Sequence, residues 1–173
     1  MVTLQEMLLA RDLRVGTQAF LRREYGYPLV ACTMNIPGPM KNNLVIQRCF
    51  DIGVGNLSCI FKQQLDLILE HRLETGPECY FIVISPIDLR ELKRELVRFE
   101  ETFPIGRWFD LDVKDPEGKS VSRRDVGMEE RSCFLCGRPA KECGRSRRHS
   151  VDELYSYTEH ALVAFLSEAK RCT

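Results

Sequence analysis

Apolar positions recur along the chain with helical and strand spacings, and the alternation predicts an order of elements. Residues 3–23 read as a helix: Thr3 and Glu6 suit a capping box, and Leu4, Leu8, Val15 and Ala19 recur on one face. The apolar run PLVACTMNI, 28–36, has strand length and stops at Pro37-Gly38-Pro39, which continues neither a ladder nor a helix interior. Residues 43–71 read as helical with a break at Gly53-Val54-Gly55, and Leu57, Ile60, Phe61, Leu65 and Ile68 form the buried stripe of the second half. ECYFIVI, 78–84, is a second continuous apolar strand, of the kind covered on both faces. Ser85-Pro86 is expected to open a helix, with Ser85 capping, Asp88 at the positive end and Leu89, Leu92, Leu96 and Phe99 inward. Residues 107–113 and 119–124 predict a hairpin around Asp115-Pro116-Glu117-Gly118. Beyond a basic, cysteine-bearing loop, Ser150 and Glu153 make a second capping box for a last helix ending near Lys170.

This order predicts one compact α+β or α/β domain over 1–173, a small mixed sheet with flanking helices, in which only 131–150 stands apart. Composition then excludes some functions. Lys plus Arg and Asp plus Glu are both 25, so the formal net charge is +0 and a general affinity for nucleic acid or anionic membrane is not expected. No apolar run approaches the ~20 residues that span a bilayer. The start, MVTLQEMLLARD, lacks the build of an export signal. The 8 cysteines are too few for a disulfide scaffold and read as cytosolic thiols, some of them metal ligands. Cys32, Cys49, Cys59 and Cys79 fall in apolar segments and read as core, and neither His71 nor His160 has a constellation around it.

GRWFDLDV, 106–113, is the most informative stretch. On a strand, Arg107, Phe109, Leu111 and Val113 point one way and Trp108, Asp110 and Asp112 the other. Aspartate is a poor strand former, so two in one strand need a reason. They suit either a solvated edge or the grip of a hard cation such as Mg²⁺, as nucleotidyl transfer requires, with Trp108 as a pocket wall. If 115–118 form the turn and 114 pairs with 119, Arg123 lies opposite Asp110, where it neutralises the acid or holds a phosphate.

Cys133, Cys136, Cys143 and His149 form a C-x2-C-x6-C-x5-H set, a composition that suits one structural Zn²⁺ but equally leaves unligated residues or a redox pair open. Residues 131–150 hold six Lys or Arg and one acid, Glu142; Arg145, Arg147 and Arg148 suit polyphosphate, an acidic protein or simply solvent. Arg11, Arg14 and Gln18 share a face of the first helix, and a half-buried Arg11 calls for either a local anion or a substrate phosphate.

Taken together, ARDLRVGTQ, PLVACTMNIPGPMKN, GRWFDLDV with SRRD, and CFLC…C…RSRRHS resemble the apo-citrate lyase phosphoribosyl-dephospho-coenzyme A transferases over nearly the whole length. The resemblance implies transfer of a prosthetic group from 2′-(5″-triphosphoribosyl)-3′-dephospho-coenzyme A to a serine of the citrate lyase acyl carrier subunit, with release of diphosphate, by a nucleotidyltransferase-like protein. On this reading Asp110 and Asp112 are catalytic and bind Mg²⁺. Arg11, Arg14, Gln18, Arg107, Arg123, Arg145, Arg147 and Arg148 bind substrate, and neither nucleic acid nor membrane is a partner. The alternatives are a zinc-stabilised binding module for nucleic acid or an acidic protein, and a nucleotidyltransferase serving another carrier protein.

Overall fold

The two continuous apolar runs become β1 (Leu29–Met34) and β3 (Gly76–Val83), which lie side by side and are buried on both faces. In the computed structural model, which describes residues 1–169, they belong to a five-stranded sheet of order β2-β3-β1-β4-β5. β2 spans Leu65–Leu73, β4 Phe109–Lys114 and β5 Ser120–Val121. Every pairing is antiparallel, so the fold is α+β, without the parallel strands that a mixed sheet would contain.

The sheet has two unlike faces. One carries Val30, Cys32, Met34, Cys79, Phe81, Val83, Phe109, Leu111 and Val113 into the main core. Helices α2 (Leu44–Ile60), α3 (Leu89–Thr102) and α5 (Val151–Ala169) cover it. The other face holds a smaller apolar cluster of Leu29, Ala31, Tyr80 and Ile82 with Leu21 of α1 (Leu4–Tyr25). A short α4 (Ala140–Ser146) lies inside the basic segment, which the sequence presents as loop. Among the described residues no helix is long and apolar enough to cross a membrane.

Both capping boxes form. Thr3 Oγ1 accepts the Glu6 N–H while Glu6 accepts the Thr3 N–H, and Ser150 with Glu153 repeats the exchange at α5. The expected end of the last helix near Lys170 lies outside the described residues. Elsewhere the structure corrects the sequence reading. Helix α1 turns Ala10, Gln18 and Leu21 inward, whereas Leu4, Leu8 and Val15 are 75%, 51% and 61% exposed and Ala19 is exposed too. The sheet beneath α1 offers Glu78 as well as apolar ground, so the helix seats Arg14 and Gln18 there beside Leu21 and leaves Leu4 and Leu8 outside. Helix α3 begins after Asp88, whose Oδ1 accepts the Arg90 N–H, and Ser85-Pro86 stays in the preceding turn. Cys59 is exposed, unlike the buried Cys32, Cys49 and Cys79.

The largest correction concerns 43–71. Helix α2 runs unbroken through Gly53 and Gly55, ends at Ile60 with that residue exposed, and is followed by strand β2. A register shift between Leu67 and Leu69 disturbs the alternation of β2, which is how Leu65 and Ile68 mimic a helical spacing. Gly53 is needed for packing. A Cβ there would lie 2.0 Å from Cζ of Phe109, whose ring fills the notch on α2 and stacks on Phe50 at 6.0 Å. Phe109 begins the aspartate-bearing strand, so this notch fixes that strand's height against the core.

The two glycines of α2 should therefore respond oppositely to alanine. Gly55 is exposed with nothing near its Cβ position, and Gly55→Ala should stabilise by about 0.5–1 kcal/mol through helix propensity. Gly53→Ala should destabilise by about 2 kcal/mol or more through overpacking. Urea unfolding of both variants measures the contrast.

Candidate functional site

Strand β5 ends at Val121, paired with Val113, so the outer edge of β4 is left without a strand partner at Leu111. Two charged side chains from α3 take that place. Glu100 Oε1 accepts the Leu111 N–H at 2.9 Å, and Lys93 Nζ donates to the Leu111 carbonyl at 2.5 Å. Both residues are buried, at 1% and 4% exposure. Lys93, Leu96, Val97 and Glu100 follow the i, i+3, i+4, i+7 spacing, so the charges sit on the apolar face of α3. That coincidence is the sequence signal for them, and the hydrophobic stripe alone passes over it.

Glu100 gathers the rest of the site. Its carboxylate receives Arg123, and Arg131 at 2.8 Å. Arg131 also donates to Asp110 Oδ1 at 3.1 Å and to the Phe109 carbonyl at 2.9 Å. Arg123 makes its second ion pair with Glu101 at 2.9 Å. A buried carboxylate between two guanidinium groups satisfies the rule that interior charge must be paired and hydrogen-bonded.

Asp110 and Asp112 project from the other side of β4, opposite Thr33 and Ala31 of β1. They open on a groove of about 580 Å³ also lined by Asn35, Lys93, Arg123, Arg124, Arg131 and Lys141. Asp112 retains open area to solvent, yet the groove walls desolvate its carboxyl and, with the charge of Asp110, push its pKa upward; Lys93 and Lys114 pull the other way. Burial lowers the Lys93 pKa, while Glu100, Asp112 and Asp110 oppose the shift. Two adjacent carboxylates whose mutual repulsion is not fully offset are a suitable donor set for a hard cation that also takes substrate oxygens. Asn35 and Ala140 lead from here into two further grooves that share Phe134, one lined by Arg107, Glu100 and Ser132, the other by Cys143, Arg147 and Leu154.

The structure redistributes the residues singled out from sequence. The hairpin pairs Lys114 with Ser120, one residue away from the expected 114–119 register, and the ladder stops before residue 123. Arg123 therefore leaves the strand at the start of a 3-10 turn, Arg124–Val126, and faces Glu100 and Glu101; Arg131 stands beside Asp110 instead. Trp108 is not on the acidic face. It belongs to the 3-10 turn Gly106–Trp108, is 4% exposed, stacks on Phe134 at 5.2 Å and donates to Thr158 at 3.0 Å. Arg107, in the same turn, reaches Ser132 and lies over the Phe134 ring at 5.1 Å. Arg14 pairs with buried Glu78 at 2.8 Å, not with the aspartates, and Glu78 also meets Tyr80 and His71, so His71 does have a constellation. Arg11 is exposed and Gln18 buried. Arg145, Arg147 and Arg148 are all exposed around the end of α4, with Arg147 lining a groove.

Cys133, Cys136, Cys143 and His149 converge. Their ligand atoms all lie within 4.8 Å of one another, and the Cys136 and Cys143 sulfurs are 3.4 Å apart. The neighbouring His149 foremost pulls the Cys136 thiol down to about 6, while Cys136 beside it pushes Cys143 up to about 11.

Comparison with known proteins adds a family. Residues 2–165 match the family model described as apo-citrate lyase phosphoribosyl-dephospho-CoA transferase. The chain is 34% identical to a transferase of that name from Escherichia coli, covering 99% of this chain and 92% of the relative. It is 34% identical to a probable one from Vibrio cholerae, covering 91% and 90%. Protein CitXG of Haemophilus influenzae is 36% identical over 88% of this chain, which spans only 33% of that longer protein.

Two outcomes follow from the charges. Glu100→Gln should cost about 3 kcal/mol, because two buried-edge arginines lose their counter-charge, whereas Glu101→Gln, at a side chain 49% exposed, should stay within about 0.5 kcal/mol in urea unfolding. Asp112 behaves differently. Its raised pKa means that the fold disfavours the ionised form, so Asp112→Asn should be at least as stable as the parent at pH 7. That advantage should vanish as pH falls through the raised pKa to below the ordinary 3.8, where the parent carboxyl is protonated in both states. Paired thermal melts across pH 3.5 to 7 read the difference.

Proposed function

The chain belongs to the apo-citrate lyase phosphoribosyl-dephospho-CoA transferase family and is a transferase of that group to apo-citrate lyase, and we propose that the reaction is a nucleotidyl transfer centred on Asp110 and Asp112. The donor is 2′-(5″-triphosphoribosyl)-3′-dephospho-coenzyme A and the acceptor a serine of the acyl carrier subunit. The serine Oγ forms a bond to the α-phosphorus of the triphosphate, the bond from that phosphorus to the diphosphate oxygen breaks, and diphosphate leaves. The serine proton passes to a base or to solvent.

The observation that carries this reading is the pair of strand carboxylates facing a groove whose remaining charged walls are largely basic. Asp110 and Asp112 would hold Mg²⁺, which when bound offsets negative charge on the phosphate oxygens. Arg131, fixed by Glu100, keeps Asp110 oriented and presents a second donor edge to the groove. Lys93 adds positive charge behind the strand from a buried, hydrogen-bonded position. Arg107 and Arg123 extend the basic lining towards Phe134, where an extended donor has room along the connected grooves. Exposed Arg145, Arg147 and Arg148 would meet an acidic carrier surface, where complementary charge raises the encounter rate. The eight cysteines suit a cytoplasmic setting, in which thiols stay reduced.

The test is intact-mass analysis of the acyl carrier subunit after incubation with protein, donor and Mg²⁺. The parent should add the mass of the phosphoribosyl-dephospho-coenzyme A group to the serine. Asp110→Asn and Asp112→Asn should each transfer at least ~10²-fold more slowly, while both stay folded by circular dichroism. Chelator should halt the parent and added Mg²⁺ restore it. Near-parental rates in both variants would remove the aspartates from the mechanism.

A further inference from the structure

The segment 131–150 presents a physical problem. It carries six Lys or Arg against one Glu, and the only side chains in it classed as buried are those of Cys133 and Cys143. Leu135 is 37% exposed, and Phe134 is half-buried against Trp108. A stretch with so little apolar surface does not recover the entropy of ordering from packing alone. Yet its backbone is organised around the cysteines. The Cys133 N–H bonds to the Arg138 carbonyl at 2.6 Å and the Ala140 N–H to the Arg131 carbonyl at 2.8 Å, with an isolated bridge between Ser132 and Pro139. Gly137 closes the turn at φ +70°. That tight turn brings the C-x2-C pair together. Helix α4 returns Cys143 to it, and Arg147, in the left-handed region at φ 46°, turns the chain so that His149 follows.

We propose that Cys133, Cys136, Cys143 and His149 bind one structural Zn²⁺, and that this ion mounts the groove wall carrying Arg131 and Phe134. Zinc with thiolate bonds of ~2.3 Å and an imidazole bond of ~2.0 Å sets its tetrahedral ligand atoms about 3.5–3.8 Å apart. The four ligand atoms here already lie within 4.8 Å of one another. His149 Nε2 is buried and has no hydrogen-bond partner, the condition of a ligand nitrogen whose acceptor is a metal. All four positions are filled by protein, which marks a structural and not a catalytic ion. Three thiolates on Zn²⁺ contribute a net charge of about −1 and so offset part of the surrounding basic charge.

The ion's reach into the groove is short and specific. Arg131, two residues before the first ligand, holds Glu100 and Asp110. Phe134, next to that ligand, stacks on Trp108 at 14° and lies under Arg107. Trp108 is the only tryptophan in the chain, so its emission reports on this wall without added label.

The test needs no transfer reaction, so it stands or falls apart from the proposed chemistry. Protein purified under reducing conditions without chelator should hold about one zinc per chain by elemental analysis. Stripping the parent with a strong chelator should shift Trp108 emission and speed tryptic cleavage within 131–150 at least ~10-fold, and Zn²⁺ should reverse both. Co²⁺ added to stripped protein should give the intense visible bands of a tetrahedral thiolate site. Cys136→Ser and His149→Gln should each lose zinc affinity. Reduced parent protein that holds no zinc and takes up neither Zn²⁺ nor Co²⁺ would overturn the proposal, as would a Cys136–Cys143 disulfide in freshly isolated protein. Stripped protein with unchanged Trp108 emission and proteolysis would overturn the mounting role.

Discussion

A buried carboxylate stands where a strand would otherwise be. Glu100 takes the Leu111 N–H that a longer β5 would have paired, and in the same position it binds the guanidinium groups of Arg123 and Arg131. The strand edge, the first arginine of the SRRD run and the start of the 131–150 segment are thus tied to one atom group on α3. Without it, the Leu111 amide would be unpaired, Arg131 would lose its fixed orientation beside Asp110, and Arg123 would keep only its exposed partners, Glu101 and the Glu129 carbonyl. Ending β5 early also has a benefit: a full β5 would cover the edge from which the aspartate groove opens.

Strand β4 is shaped by opposite demands on its two faces. Phe109, Leu111 and Val113 are wholly buried, and Phe109 is locked into the Gly53 notch of α2. On the other face Asp110 and Asp112 stand close enough for the charge of one to raise the pKa of the other. Packing on the inner face holds the carboxylates together against their repulsion. A locally unfavourable arrangement maintained by well-packed surroundings is what a binding site for cations and phosphates requires.

What the sequence discloses follows from how local each cause is. The two capping boxes, the apolar runs of β1 and β3, and the inward Leu92, Leu96 and Phe99 of α3 depend on neighbours a few residues away, and each is readable from spacing. The misreadings have long-range causes. Strand β2 carries an irregularity that blurs its period, and Gly53 looks like a helix break until Phe109, 56 positions on, is seen to need the space. The inner face of α1 depends on Glu78, which the helix pattern does not contain. At the site, a register displaced by one residue moved Arg123 away from Asp110, and Arg131 entered from a segment noted for its cysteines and its total charge. Lys93 and Glu100 were readable in principle as charges on an apolar helix face, but only the edge of β4 explains why they are there.

The grooves show why the segment 131–150 belongs to the same account. Three concave surfaces meet at Asn35 and Ala140, two of them also share Phe134, and both Phe134 and Ala140 lie in that segment. Asn35 is held by its own N–H to the Trp108 carbonyl at 2.7 Å, and Trp108 is held by Thr158 of α5. One side of the junction is therefore anchored to the sheet and α5. The other side rests on the stacking of Phe134, the reach of Arg131, the Arg107 bond to Ser132 and the convergence of Cys133, Cys136, Cys143 and His149. An elongated substrate laid across the junction touches both sides, so its productive placement depends on their spacing. Rigid support for the second side, supplied by a metal and not by a core, would let a small and highly charged segment hold that spacing while leaving its arginines free at the surface.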